Sequence, residues 1–111
     1  MAKNKETDLQ SRIMADLAHE CVLFRIPAGL YWAGEYKDGI VINPRAVKVA
    51  IKGHPDLAGY RRRDGKAIYI EVKTGKRKPT PAQKKFIKVA QGSGCLAGAA
   101  WSIEDAREIV K

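Results

Sequence analysis

Ile68-Tyr69-Ile70-Glu71-Val72-Lys73 is the stretch whose reading decides the fold. Ile68, Ile70 and Val72 alternate with Tyr69, Glu71 and Lys73, the period of two that a strand imposes on its side chains. One face is β-branched throughout and suits a pleated surface packed beneath a helix. The other carries a carboxylate and an ammonium two residues apart, side by side above the sheet. Taken alone, Glu-x-Lys on a strand is an ordinary solvated ion pair. The residues upstream give it a second meaning.

Those residues are Gly53-His54-Pro55-Asp56-Leu57-Ala58-Gly59-Tyr60, followed by Arg61-Arg62-Arg63-Asp64-Gly65-Lys66. Asp64-Gly65 is a two-residue hairpin signal. A turn centred there sets Asp56 opposite Lys73, Leu57 opposite Val72 and Ala58 opposite Glu71. It also pairs Gly59 with Ile70, and Tyr60 with Tyr69 as a cross-strand aromatic contact. Directly opposed residues share a face, so Asp56, Glu71 and Lys73 converge on one side while Leu57 joins the apolar side. One bulge would break this parity. Two carboxylates beside a lysine suit a hard divalent cation such as Mg²⁺, which keeps several waters and needs only one or two carboxylates. The lysine is then placed to orient an attacking water and to offset charge developing on a phosphate.

Pro55-Asp56 followed by Glu71-Val72-Lys73 resembles the signature of the PD-(D/E)XK nuclease superfamily. The wider frame, Gly53-x-Pro-Asp-Leu through Glu71-Val72-Lys73-Thr74 to Pro81-x-Gln83, resembles its VRR-Nuc branch. The resemblance covers nearly the whole chain. It implies an α/β fold with a restriction-endonuclease-like core, a mixed central β-sheet flanked by helices. It implies Mg²⁺, with Mn²⁺ as a substitute, held by Asp56, Glu71 and the backbone carbonyl of Val72 for hydrolysis of DNA phosphodiester bonds. In such nucleases an acid on the first helix often joins the metal site. Glu6 is the candidate, Glu20, at the far end of the same helical stripe, competes with it, and the alternative is a plain helix-terminal acid favoured by the macrodipole. A strand-borne arginine before a glycine turn is also usual in this branch, and Arg25 with Gly29 fits. Small stand-alone proteins of this branch point to a homodimer acting on four-way junctions.

The chain has 111 residues, enough for one domain (1–111) with a single modest core. Its net charge of +9, from 21 Lys and Arg against 12 acids, favours a polyanionic partner. Nucleic acid comes before a membrane surface, because there is no long apolar run or basic amphipathic anchor. No signal peptide or membrane-spanning segment is legible, so the expected location is the cytoplasm of a bacterial or phage-infected cell. Cys21 and Cys95 lack zinc-type spacing and read as two reduced, buried thiols.

In chain order, Thr7-x-x-Gln10 is a capping-box pattern that predicts a first helix, with Leu9, Ile13 and Leu17 as its buried stripe and Met14 and Ala18 beside them. Cys21 to Ile26 reads as a strand. Tyr31, Trp32 and Tyr36 precede Asp38-Gly39 and Ile40-Val41-Ile42, which predicts a short hairpin. Its aromatics have three possible uses: stacking on bases, covering a second subunit, or packing in the core. Val47, Val49 and Ile51 alternate with Lys48, Ala50 and Lys52 as a further strand. His54 is either a turn residue or a phosphate contact. Arg61, Arg62 and Arg63, with the loop Lys76-Arg77-Lys78, are the expected phosphate contacts, which position a backbone without reading its sequence.

Thr80, Pro81 and Gln83 then spell out a helix start: N-cap, N1 and N3. Gln83 is explained either by capping that helix or, by resemblance, by reaching the site. Phe86, Val89 and Ala90 form the predicted buried stripe, with Ile87 at its edge, and Gly92 and Gly94 end the helix. Cys95 to Trp101 is a small, apolar strand buried on both faces. Ser102 caps a last short helix. Two competing readings use the same residues: a DNA-binding module without catalysis, and an RNA-processing nuclease. Recognition of the 2′-hydroxyl leaves no mark in a sequence.

Overall fold

The computed structural model describes residues 4–26, 29–49 and 52–111, excepting the side chains of 29–32 and 47–49. In chain order its elements are α1 (Lys5–Asp16), β1 (Cys21–Arg25), β2 (Gly29–Lys37), β3 (Ile40–Val49), β4 (Leu57–Arg61), β5 (Ala67–Val72), α2 (Pro81–Gly92), β6 (Leu96–Ala100) and α3 (Ile103–Val110). Four strands form a mixed sheet in the order β1-β4-β5-β6. The first two pairings are antiparallel and β5 with β6 is parallel. The fold is α/β, with a restriction-endonuclease-like mixed sheet between helices.

The alternation of β5 sorts its two faces. Ile68, Ile70 and Val72 are fully buried against Leu9, Ile13 and Leu17 from the first helical segment and Ala106 and Val110 from α3. On the opposite face Tyr69 meets Phe86 of α2 at 5.2 Å between ring centroids. Glu71 therefore lies between sheet and helix rather than in solvent, and is only 2% exposed.

Several expectations need correction. The β4–β5 hairpin pairs Leu57 with Ile70, Ala58 with Tyr69, Gly59 with Ile68 and Tyr60 with Ala67, two residues away from the predicted register. Asp64-Gly65 does not form a two-residue turn. Arg61 pairs with Lys66 across a four-residue loop, the Arg61 carbonyl accepting from Gly65 N–H at 2.7 Å while Gly65 has φ +74°. Asp64 is drawn into that loop by the Arg61 guanidinium and by the Lys66 N–H. A slip of two keeps every side chain on its predicted face. It abolishes the Tyr60–Tyr69 pair and, carried one step past Leu57, sets Asp56 opposite Glu71 instead of Lys73.

Helix α1 starts earlier than the Thr7 pattern predicts, because the Asn4 side chain accepts from Glu6 N–H and Thr7 N–H and caps it. Leu17 is buried at the C-cap, but Ala18 is exposed. Arg25 fastens β1 to that helix, donating to Gln10 Oε1, the Thr7 carbonyl and Ser11 Oγ. Val47 and Val49 do not begin a new strand of the sheet. They continue β3, which among the described residues pairs with β2 alone, in a separate two-stranded ribbon longer than the short hairpin predicted. Its turn has φ > 0 at both Asp38 and Gly39, the type that matches strand twist. Ala50 and Ile51 lie outside the described residues. On α2, Ala90 is buried as expected, but Val89 is 61% exposed. Cys21 is buried and Cys95 only half-buried; both are free thiols.

Gly59 of β4 lies opposite Leu23 of β1, close against the backbone of its neighbour. A Cβ placed there would lie 1.7 Å from the Val22 carbonyl oxygen, a backbone atom that cannot turn aside. Gly59→Ala should destabilise the domain by more than the ~1–3 kcal/mol usual for overpacking. The expected readout is a lost or strongly lowered thermal transition by circular dichroism, whereas Gly65→Ala, with open space around its Cβ, costs only its backbone strain.

Candidate active site

The site begins at a corner. Gly53 has φ +84°, and a Cβ there would lie 2.5 Å from the Ala82 carbonyl oxygen. Only glycine lets the segment entering β4 press against the first turn of α2. Pro55 follows, fully buried, and then Asp56, whose Oδ2 accepts the Val72 N–H at 2.9 Å. In an antiparallel ladder a residue's N–H and C=O face the same neighbour. At the next hydrogen-bonding step β4 offers Val72 only Pro55, which has no N–H. The Val72 carbonyl thus faces the Asp56 side with no donor from that ladder position.

Glu71 is held from both ends. Its Oε1 accepts from Gln83 Nε2 at 3.0 Å and lies 3.5 Å from Lys73 Nζ, an ammonium only 5% exposed. Among the described residues its buried Oε2 has no hydrogen-bond partner. Burial, followed by the negative charge of Asp56, pushes the Glu71 carboxyl up to about 8, against the opposing pull of Lys73. Gln83 performs both of the tasks weighed for it. Its Oε1 accepts the Thr80 N–H at 2.8 Å and its own N–H reaches Thr80 Oγ1, closing a capping box, while its amide nitrogen turns to Glu71. A helix start and an acidic site are therefore locked together by one side chain.

His54 takes the turn role. Its Nδ1 donates to the Pro55 carbonyl at 2.7 Å, and its ring packs with Phe86 and Tyr69 beside the site. Glu6 is not brought to the acidic pair; its Oε1 lies 2.8 Å from Arg77 Nη1. Glu20 is at the other end of the sheet, where its carbonyl accepts the Arg62 N–H. Among the described residues, no group of three His, Cys, Asp or Glu is arranged to hold a metal ion.

The arginine triplet divides. Arg61 is 7% exposed. It donates to both Asp64 oxygens and to the Val110 and Lys111 carbonyls, closing the C-terminus of α3. That corrects its expected role as a phosphate contact. Arg62 and Arg63 are exposed in the hairpin loop, at the end of β4 away from Asp56. Lys76, Arg77 and Lys78 are exposed immediately after Lys73 and Thr74.

A model of the VRR-NUC domain matches residues 41–102, more than half of the chain. The chain belongs to the VRR-NUC family. It is thus a nuclease-type domain of the VRR-Nuc branch of the PD-(D/E)XK superfamily. No curated protein matches its sequence. The matched segment of this VRR-NUC domain holds Asp56, Glu71, Lys73 and Gln83; Glu6 and Arg25 lie outside it. No helix among the described residues is long and apolar enough to cross a membrane.

Sequence reasoning missed Trp101. Its indole N–H donates to the Arg77 carbonyl at 2.8 Å and its backbone N–H to Asp105 Oδ2 at 3.0 Å, which ties the basic loop to the end of β6. The available signal was a large aromatic ending the run Leu96–Ala100 of small and apolar residues.

Between pH 4.5 and 8 the folded metal-free protein keeps a proton on Glu71 that the unfolded chain has released, so stability falls as pH rises through that window and levels off above it. In chelator, Glu71→Gln should flatten this slope. It should also raise the melting temperature at pH 8, by roughly 4–8 °C per kcal/mol of unfavourable burial and repulsion removed. Thermal melts of both proteins at pH 5 and pH 8 measure it.

Proposed function

We propose that this VRR-NUC domain is a Mg²⁺-dependent DNA endonuclease whose reacting phosphate is held at Asp56, Glu71 and Lys73. The observation that carries this reading is the buried Glu71 Oε2, left without a partner beside a second carboxylate. The residues fit a divalent cation: it would give that oxygen a partner and relieve the repulsion between the two acids. Two carboxylates and a peptide carbonyl suffice for a hard cation that keeps its waters, and Mn²⁺ should substitute. When bound, the cation supplies Lewis-acid polarisation of the phosphate and a water of lowered pKa.

The chain's own side chains do the rest. Gln83 and the Val72 N–H hold the two carboxylates in register with one another. Lys73, anchored to Glu71 at 3.5 Å, orients the attacking water and offsets charge building on the phosphoryl oxygens. Lys76, Arg77 and Lys78 contact phosphates next to the cut, and Arg62 and Arg63 extend that track along the sheet.

Cutting two strands requires two sites, and a twofold dimer supplies them. The β2–β3 ribbon carries Tyr36 (77% exposed) directly opposite Val41 on one face and the exposed Ile40 on the other. These apolar side chains support a ribbon-mediated homodimer that acts on branched DNA such as four-way junctions. The side chains of Tyr31 and Trp32, expected to join them, lie outside those described.

Glu71→Gln and Lys73→Ala should each lower the cleavage rate by at least about a hundredfold, as expected when several kcal/mol of the barrier are lost. DNA affinity should stay within a few-fold. Labelled duplexes, flaps, junctions and single strands, incubated with Mg²⁺ or with chelator, test this. Near-parent cleavage by either variant removes these residues from the site.

Sedimentation velocity at micromolar concentration should give a dimer that Tyr36→Glu with Val41→Glu converts to monomer. A parent protein that sediments as a monomer and nicks junction and linear duplex equally well overturns the resolvase reading.

A further inference from the structure

At the carboxyl ends of the two parallel strands, where α/β sheets commonly bind ligands, β5 runs into Lys73 and Thr74 and β6 into Trp101. The strands are joined there by the Lys73 N–H donating to the Ala100 carbonyl at 3.0 Å. A cleft of about 340 Å³ opens beside this junction, lined by Thr74, Trp101 and, from α1, Lys5, Asp8, Leu9 and Arg12. Trp101 is 40% exposed, yet its indole N–H and backbone N–H are both engaged within the protein. What it still offers a ligand is its aromatic surface, held in a fixed orientation. Lys5 and Arg12 outnumber Asp8 along the wall, and the exposed loop Lys76-Arg77-Lys78 adjoins it. A rigid aromatic surface among cations is the combination that holds a splayed-out nucleotide: the ring stacks on the base and the cations take the flanking phosphates. In a duplex the bases are already stacked and their faces are not available.

We infer that Trp101 and the Lys5/Arg12 cleft, on the α1 side of the sheet's carboxyl edge, bind an unpaired nucleotide of the DNA. The inference rests on the nuclease reading and deepens it. The ligand class is a single-stranded stretch of DNA.

The test is binding in chelator, where no cleavage occurs, of the full chain to an oligothymidylate, a flapped duplex and a blunt duplex. Trp101→Ala should weaken the first two by roughly 5- to 150-fold, the range for one lost base stack, and the blunt duplex by much less. Trp101→Phe, which keeps a ring but not the bond to Arg77, should recover most of the loss. In a Trp32→Phe background, oligothymidylate should quench the remaining Trp101 emission. Lys5→Ala with Arg12→Ala, both on exposed positions, should flatten the salt dependence of single-strand binding by about 0.7 in log–log slope per phosphate contact removed. Equal losses on blunt and flapped DNA, a Phe variant as weak as Ala, or no quenching would overturn the proposal. Trp101-dependent binding by a parent protein that cuts nothing upholds it and removes the nuclease reading alone.

Discussion

A buried glutamate facing a second carboxylate is the constraint around which this domain is arranged. Removing Glu71 from water beside Asp56 costs free energy that an apolar strand would not incur. The fold keeps that cost bearable by surrounding the pair with fixed donors: the Val72 peptide for Asp56, and Gln83 and Lys73 for one oxygen of Glu71. The other Glu71 oxygen meets no donor among the described residues.

The parts that hold the pair are ordinary devices of local structure given a second task. Gln83 would be at N3 of α2 in any protein with this capping box, but here its free amide end reaches Glu71. Pro55 closes a corner and also withholds an N–H from the position opposite Val72. Gly53 permits a left-handed turn and also lets that corner touch α2. Substituting any of them disturbs a secondary-structure end and the acidic pair together. Arg61 shows the reverse case. In a run of three arginines on a basic protein it looks like a ligand contact, yet it binds the carbonyls that end α3 and joins the last helix to the β4–β5 loop. A buried guanidinium with five donors meets four acceptors there, and none of that is visible in the local sequence.

How much of the site was legible follows from the parity of strands. The β4–β5 register was predicted two residues away from the observed one, yet Asp56, Glu71 and Lys73 share the expected face, because an even slip preserves sidedness while an odd slip reverses it. The contact pairs themselves were wrong: Tyr60 never meets Tyr69, and Asp56 lines up with Glu71. The turn motif alone misled, since Asp64 is recruited by Arg61 and the loop widens to suit that ion pair. The ribbon was mistaken for the same kind of reason. Val47 and Val49 alternate as a sheet strand should, but periodicity carries no information about which neighbour a strand pairs with.

The sequence by itself determined the alternation of β5, the capped start of α2, the glycine and proline corner before Asp56, and the family those residues belong to. These are local, arising from side-chain periodicity, φ restrictions and hydrogen bonds that span three or four residues. Only the tertiary structure decided that Glu71 is buried rather than solvated, that Gln83 touches it, that Arg61 is structural, that Glu6 pairs with Arg77, and that Trp101 is presented beside the basic loop. Each of those depends on segments distant in sequence meeting across the sheet. The free energy of such a meeting comes from shared burial and desolvation, quantities that no single stretch of chain possesses.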